Sequence, residues 1–218
     1  MVNDFNIIVF ISGRGSNLAG LVNSQENFRI LAVISNNPHA AGLEIASKHA
    51  IPTYAFQKSD YSSLAEMKVA IRKKAIELNP NLIALAGYMQ IIEPDFIESF
   101  PGPIVNIHPS LLPKFPGLDT HARALKSKEI EHGCTVHLVD QGVDTGQILA
   151  QAKVKVENGD TPETLGARVL EREHVLYPWV INCIAKQAIK LGPEGLLRFS
   201  EVAKEQAHEF NFVLTEGA

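Results

Sequence analysis

The sequence predicts a single α/β domain with a mainly parallel central sheet that becomes mixed after residue 130. In the first half of the chain, short runs of β-branched residues alternate with longer segments of helical periodicity, which is typical of β-α-β units. After residue 130, two strand-like segments are joined by a loop that is too short for a crossover helix. This spacing indicates antiparallel neighbours.

The first half is expected to contain five strands, at residues 6–12, 29–35, 53–56, 82–86 and 104–107. The clearest helix lies between the third and fourth strands and ends at Asn79-Pro80. Its apolar residues recur at spacings of three and four, so we expect this face to pack on the sheet. These residues are Leu64, Met67, Ile71, Ala75 and Leu78.

The second half is expected to contain strands at residues 135–139 and 148–156, separated by a glycine-containing loop. A long helix should follow, with Thr161 as its N-cap and Pro162 in its first turn. A hairpin or tail ends the chain. No repeat or low-complexity linker marks a second domain.

Charge and composition argue against several classes of partner. The formal net charge of −4 and the pI near 6.1 do not suit a surface that neutralises many phosphates, so we expect no nucleic acid partner. Cys134 and Cys183 are too few for a disulfide framework or a cysteine zinc site. No leader segment or apolar run of membrane-spanning length occurs, so the protein is expected to be cytoplasmic with no membrane partner.

A glycine-containing turn follows the first strand and opens a helix. Gly13 and Gly15 allow a ligand to approach the backbone, while Ser16 and Asn17 could add donors to an anion at the helix start. No Gly-Lys-Ser/Thr follows and the third glycine of a dinucleotide motif is missing, which disfavours an NTPase or a dehydrogenase. A purely structural turn with Ser16 or Asn17 as N-cap is the alternative, and both interpretations stay open.

Asn106 and His108 occupy alternate positions at the end of the fifth strand, so both side chains should leave the same face of the sheet. The prolines of the following loop restrict its backbone. A carboxylate partner could come from the loop at residues 140–146. Asp144 near His108 would favour the imidazolium and raise its pKa toward or above neutrality. The structural alternatives are a histidine and an asparagine that brace the loop, and a turn aspartate.

These motifs resemble the glycinamide ribonucleotide formyltransferases. The resemblance is carried by residues 12–18, 85–89, 106–113, 131–137, 144–146 and 173–178. It implies a Rossmann-like formyltransferase fold over residues 1–218, with a phosphate-binding half at 1–100 and a catalytic, folate-binding half at 101–218. It also implies transfer of a formyl group from 10-formyltetrahydrofolate to the amine of 5'-phosphoribosylglycinamide in purine (IMP) biosynthesis.

The same resemblance assigns roles to individual residues. Asn106, His108 and Asp144 would be catalytic, and Glu173 would contact the glycinamide. Gly15, Ser16 and Asn17 would bind the ribonucleotide phosphate. The folate pterin would be enclosed by Met89, Gln90, Ile91, Ile92, Asp140, Gln141, Gly142 and Val143.

Other positions depart from the family pattern or need a separate interpretation. Leu64, Gln90 and Pro103 stand where many relatives carry a basic residue, which weakens the expectation of charged folate contacts at positions 64 and 90. His137 is expected to brace the pocket. We expect surface roles for His121 and His132.

The implied chemistry needs two small-molecule substrates and no metal, and a homodimer is left open. The nearest rival is a formyltetrahydrofolate deformylase, in which water replaces the amine, although that class usually carries an N-terminal regulatory domain. A methionyl-tRNA formyltransferase would need a further C-terminal domain and a basic surface. A catalytically silent folate or nucleotide binding protein would lack one of Asn106, His108 and Asp144, and all three are present.

Overall fold

A computed structural model describes residues 5–192 and 196–215. The chain divides into two compact units between Val105 and Asn106. This division falls within β5 (Ile104–His108), the strand that ends in the predicted Asn and His pair.

The first unit contains a parallel sheet in the order β4-β1-β2-β3. Its strands are β1 (Asn6–Ile11), β2 (Arg29–Ser35), β3 (Thr53–Ala55) and β4 (Leu82–Leu85). Its helices are α1 (Ser16–Val22), α2 (Gly42–Lys48), α3 (Leu64–Glu77) and α4 (Pro94–Ser99), with a short 3-10 helix at Lys58–Asp60. The five strands predicted for the first half each end within one residue of their observed limits.

Both faces of strand β1 are covered, as its sequence predicts. Ile7 to Ile11 of β1 are all fully buried, so the strand is apolar on both faces rather than alternating. Helix α3 begins after the N-cap Ser63, whose hydroxyl accepts the Glu66 N–H at 3.0 Å. Its buried face comprises Met67, Ile71 and Ala75. Leu64 is 42% exposed, so the prediction that it packs on the sheet is wrong.

The second unit contains antiparallel pairs. Strand β6 (Glu131–Leu138) pairs with β7 (Ile148–Lys155), which also pairs with β10 (Phe212–Leu214). Strands β8 (Ile189–Leu191) and β9 (Leu197–Phe199) form a separate antiparallel sheet. The helices are α5 (Thr120–Lys126), α6 (Pro162–Ala185) and α7 (Glu201–Glu209). The predicted α/β class, mainly parallel and then mixed, is confirmed.

Helix α6 begins where the sequence predicts. Thr161 is its N-cap, and Thr161 and Thr164 each accept the other's backbone N–H in a capping box. Its long buried face includes Leu165, Val169 and Leu176.

No helix within residues 5–192 and 196–215 combines the length and apolar character needed to cross a membrane.

Candidate active site

The glycine turn of the first unit is shaped by backbone packing. Gly15 is the N-cap of α1, with a φ of 77° that favours glycine. A Cβ at Gly15 would lie 2.5 Å from the Cα of Gly42, and the Gly42 N–H donates to the Gly13 carbonyl at 3.0 Å. The structural alternative had Ser16 or Asn17 as the N-cap, but Gly15 holds that position and helix α1 begins at Ser16.

Ser12 joins this turn to the segment that follows β4. Its hydroxyl donates to Asn36 Oδ1 at 2.5 Å and accepts the Met89 N–H at 2.8 Å, while its carbonyl accepts from Asn37 Nδ2 at 3.2 Å. A Cβ at Gly13 would meet nothing within 4 Å. The backbone at Gly13 is thus open to an approaching group, whereas the backbone at Gly15 is closely packed.

The predicted pterin-binding segment of the first unit has both exposed and buried apolar residues. Met89 and Ile91 are 64% and 65% exposed, and Ile92 is buried. Gln90 is half-buried. Exposed apolar side chains beside a fixed backbone offer surface that a flat ligand can cover.

In the second unit, two polar side chains fix the loop after β5. Thr135 on β6 donates its hydroxyl to the Ser110 carbonyl at 2.6 Å and accepts the Leu112 N–H at 3.1 Å. Gln151 on β7 donates to the Leu112 carbonyl at 2.8 Å and to Thr135 Oγ1 at 2.9 Å. The chain that leaves His108 is therefore held to the two antiparallel strands.

His108 is buried at the end of β5, with an acceptor near each ring nitrogen. Nε2 lies 2.9 Å from the Phe115 carbonyl oxygen, and Nδ1 lies 3.2 Å from Asp144 Oδ2. Because a carbonyl oxygen can only accept, Nε2 carries a proton. A second proton on Nδ1 would be donated to Asp144, so this arrangement can hold an imidazolium.

Asp144 is held in position by the backbone. Its Oδ2 accepts the Gly117 N–H at 2.7 Å, and its own φ is 55°. The neighbouring Asp140 shapes the loop, because its Oδ1 accepts the Gly142 N–H at 3.0 Å and the Thr145 hydroxyl at 2.7 Å. The two aspartates therefore have different roles, one in the loop and one beside the histidine.

His137 on β6 connects Asn106 with Asp144. Its Nε2 lies 3.2 Å from Asn106 Nδ2 and 3.6 Å from Asp144 Oδ1. Its Nδ1 lies 2.8 Å from the Leu138 carbonyl, so the neutral ring carries its proton there and accepts at Nε2 from the Asn106 amide. The structure thus brings Asn106, His108 and Asp144 together around a ring that was expected to brace the pocket.

The pKa of His108 departs from the expectation. Burial lowers it below the ordinary histidine value, and this effect outweighs the Phe115 carbonyl and Asp144, which both act to raise it. The prediction that Asp144 raises the pKa toward or above neutrality is wrong in its net direction, because desolvation dominates. Burial also acts to raise the pKa of Asp144, but His137, the Gly117 N–H and His108 together hold it below its usual range.

The surface roles expected for His121 and His132 are wrong. His132 is 1% exposed, and its Nε2 lies 3.0 Å from Nδ1 of the half-buried His121. Burial and then His121 lower the pKa of His132 to about 4. Strand alternation could have revealed this burial, since His132 shares a face of β6 with buried Cys134 and Val136.

Glu173 lies on the buried face of α6, at 6% exposure. Burial and then the Glu173 charge raise the pKa of the Cys134 thiol on β6, so the carboxylate faces that strand. A carboxyl group at such depth is uncommon in a core.

Sequence reasoning did not identify the backbone groups that contact His108 and Asp144, which are the Phe115 carbonyl and the Gly117 N–H. It also gave no role to Arg123, whose guanidinium contacts the same loop. Within the described parts of the chain, no group of three or more His, Cys, Asp or Glu side chains could hold a metal ion.

The fold and the site define the class of the protein as an α/β enzyme acting on small molecules. The family described as Formyl transferase matches residues 5–181. The phosphoribosylglycinamide formyltransferase of Escherichia coli (strain K12) is 40% identical over 190 residues, which is 85% of this chain and 90% of that protein. This chain belongs to the formyl transferase family.

Solved structures of similar proteins share this fold. The phosphoribosylglycinamide formyltransferase of Brucella melitensis has a TM-score of 0.79 at 45% identity, covering 83% of this chain and 95% of that one. The glycinamide ribonucleotide transformylase 1 of Symbiobacterium toebii has a TM-score of 0.86 at 35% identity, covering 92% of this chain and 96% of that one. The chain spans only 14% and 19% of two trifunctional purine biosynthetic relatives, from Drosophila pseudoobscura pseudoobscura and Bos taurus.

Proposed function

We propose that this enzyme transfers the formyl group of 10-formyltetrahydrofolate to the amine of 5'-phosphoribosylglycinamide, a step of purine biosynthesis. The observation that carries the proposal is the placement of His108 between the Phe115 carbonyl and Asp144, with Asn106 joined to the same group through His137. The names of the E. coli and Brucella relatives support the choice of substrate.

The reaction begins when the amine attacks the formyl carbon, which produces a tetrahedral intermediate with an oxyanion. Asn106 has two amide N–H groups, of which one reaches His137, so the other can donate to the oxyanion. Protonated His108 stabilises the same charge and donates its Nε2 proton, which the Phe115 carbonyl accepts in the free protein, to the folate N10 as the C–N bond breaks. The proton that charges the ring comes from the amine nitrogen, so His108 takes it up as the intermediate forms and is neutral again once N10 has left. Oxyanion donors contribute roughly 10²–10³ in rate and a general acid roughly 10²–10⁴.

The lowered pKa of His108 fits a proton that is taken up as charge develops. In the free protein burial favours the neutral ring, and Asp144 only partly offsets that preference. An oxyanion beside the ring would add a second negative charge and favour the imidazolium further. Protonation of His108 is therefore coupled to formation of the intermediate.

The remaining assignments are part of the same proposal. Gly15, Ser16 and Asn17 bind the ribonucleotide phosphate, and Glu173 contacts the glycinamide. The enzyme is cytoplasmic, and a homodimer is left open. The pterin contacts are Met89, Gln90, Ile91 and Ile92 in the first unit and Asp140, Gln141, Gly142 and Val143 in the second.

A direct assay tests the proposed reaction. Purified protein is incubated with 10-formyltetrahydrofolate, and release of tetrahydrofolate is followed with and without 5'-phosphoribosylglycinamide. We expect release only with the ribonucleotide, matched by an equal amount of formylated product, and no release from His108→Ala. Release at the same rate without the ribonucleotide would identify a deformylase, and no release with either mixture would indicate a silent binding protein.

The role of the phosphate loop is tested by two glycine variants. Gly13→Ala should leave the fold intact, because its methyl group meets no atom within 4 Å, yet the methyl occupies the open side of the turn. We expect ribonucleotide affinity to fall by about tenfold or more, since one charge-assisted hydrogen bond contributes roughly 1.5–3 kcal/mol. Folate affinity should not change.

Gly15→Ala serves as the comparison variant. It should destabilise the fold, because its φ is 77° and the added Cβ would lie 2.5 Å from Gly42 Cα. Calorimetric titration of both ligands and urea unfolding of both variants provide the measurements. If Gly13→Ala binds both ligands as the parent does, the turn is structural and the phosphate assignment is incorrect.

A further inference from the structure

His108 and Asp144, the catalytic pair of the proposed reaction, each contact a backbone group of one short loop, residues 115–118. The Phe115 carbonyl accepts from His108 Nε2 at 2.9 Å, and the Gly117 N–H donates to Asp144 Oδ2 at 2.7 Å. A small change of this loop would therefore alter the orientation of both side chains.

The loop has a backbone conformation that its sequence does not favour. Phe115 has a φ of 56°, Gly117 a φ of 77° and Asp119 a φ of 57°. The left-handed region suits glycine but is unfavourable for phenylalanine. Leu118 is 74% exposed, so burial of its side chain does little to hold the loop. Contacts from elsewhere must stabilise this conformation.

Arg123 on α5 makes such contacts. Its Nη1 donates to the Pro116 carbonyl at 2.5 Å and to the Leu118 carbonyl at 3.2 Å. The carbon at the centre of its guanidinium lies 5.4 Å from the centroid of the Phe115 ring, within the range of a cation–π contact. The two carbonyls flank Gly117, and the ring belongs to the residue that accepts from His108.

We propose that Arg123 is a positioning residue for the proposed formyl transfer, holding residues 115–118 in the conformation that orients His108 and Asp144. The planar guanidinium reaches two carbonyls and stacks on an aromatic ring at the same time, which a lysine ammonium cannot reproduce. The inference rests on the proposed function, although the geometry that it concerns can be measured without turnover.

The charge of Arg123 acts in the opposite direction to its contacts. Burial is the main cause that lowers the pKa of His108, and the positive charge of Arg123 lowers it further, as His137 does whenever it is protonated, whereas the Phe115 carbonyl and Asp144 raise it. His121 and His132 also face His108. A benefit of Arg123 to His108 must therefore come through the position of the loop, because its charge disfavours the imidazolium.

The test compares Arg123→Lys, which keeps the charge, with Arg123→Gln, which removes it. Lys126→Gln is the matched control, because Lys126 is an exposed cation in the last turn of the same helix. The measurements are kcat, the KM of both substrates, the melting temperature and the His108 pKa by NMR. We expect kcat to fall about tenfold or more in both Arg123 variants, with little change in KM, because small displacements of catalytic groups are costly.

The His108 pKa separates this role from its rivals. It should fall in Arg123→Lys, since the carbonyl and carboxylate that favour the imidazolium are no longer held, and the control should match the parent. A lowered melting temperature with parental kcat and His108 pKa would show a merely structural role and overturn the proposal. A parental pKa in Arg123→Lys with a raised pKa in Arg123→Gln would show a purely electrostatic role and also overturn it. If the parent transfers no formyl group but the pKa still falls in Arg123→Lys, the proposed function fails and the positioning role is supported.

Discussion

Replacing Asp144 by Asn is expected to remove most of the formyl-transfer activity, and combining it with His108→Ala should be little worse than His108→Ala alone. Asp144 contacts His108 Nδ1 at 3.2 Å and stabilises the imidazolium, so its effect passes through the histidine. The loss for each single variant should be roughly 10²–10⁴ in kcat/KM, the range of a general acid. Residues that act as one unit are not additive.

Asn is a suitable replacement because its amide oxygen can still accept the Gly117 N–H, and asparagine tolerates the φ of 55° at this position. Glu205→Gln is the matched control, since it removes one negative charge from an exposed position on α7. It should retain parental kcat/KM. Rate losses that multiply in the double variant would show that Asp144 works independently of His108.

Asn106→Ala is expected to lower kcat/KM by roughly 10²–10³, the contribution of one oxyanion donor. His137→Phe should cost less, because it removes the acceptor that orients the Asn106 amide at 3.2 Å but leaves the amide itself in place. In the double variant the loss should equal that of Asn106→Ala. Steady-state kinetics of the three proteins measure these effects. A larger loss for His137→Phe than for Asn106→Ala would indicate that His137 acts on Asp144 or on the substrate directly.

Local sequence patterns predicted most of the fold, because buried parallel strands and a helix with periodic apolar residues leave strong signals. The N-cap Thr161 and the start of α6 were predicted from capping chemistry alone. The exposure of Leu64 was not predicted, since the first turn of a helix can project beyond the surface on which the helix packs. The short strand β10 was expected only as a hairpin or tail, because its pairing with β7 joins segments that are far apart in sequence.

The side chains of the site were easier to predict than their supports. Asn106, His108 and Asp144 were singled out as polar residues at a strand end and in a glycine-containing loop, although structural alternatives stayed open for each, and their catalytic roles came from the family resemblance. The close packing of Gly15 on Gly42 depends on a contact between distant residues, which no local pattern reports. The same holds for the Phe115 carbonyl, which accepts from His108 through a backbone atom that any residue would carry.

The net pKa of His108 could not be predicted from the sequence either. The partner Asp144 was visible in the loop at residues 140–146, but the depth of burial was not. Desolvation outweighs the attraction of one partly buried carboxylate, so the direction of the shift depends on the packed structure.

That Asp144 acts through His108 is tested most directly by the His108 pKa, measured by NMR in the parent and in Asp144→Asn. In the parent we expect a pKa below the ordinary histidine value, because burial disfavours the charged ring. In Asp144→Asn it should fall further, since the neutral amide no longer favours the imidazolium. An unchanged or higher pKa in Asp144→Asn would contradict the assignment of Asp144 as the partner of His108.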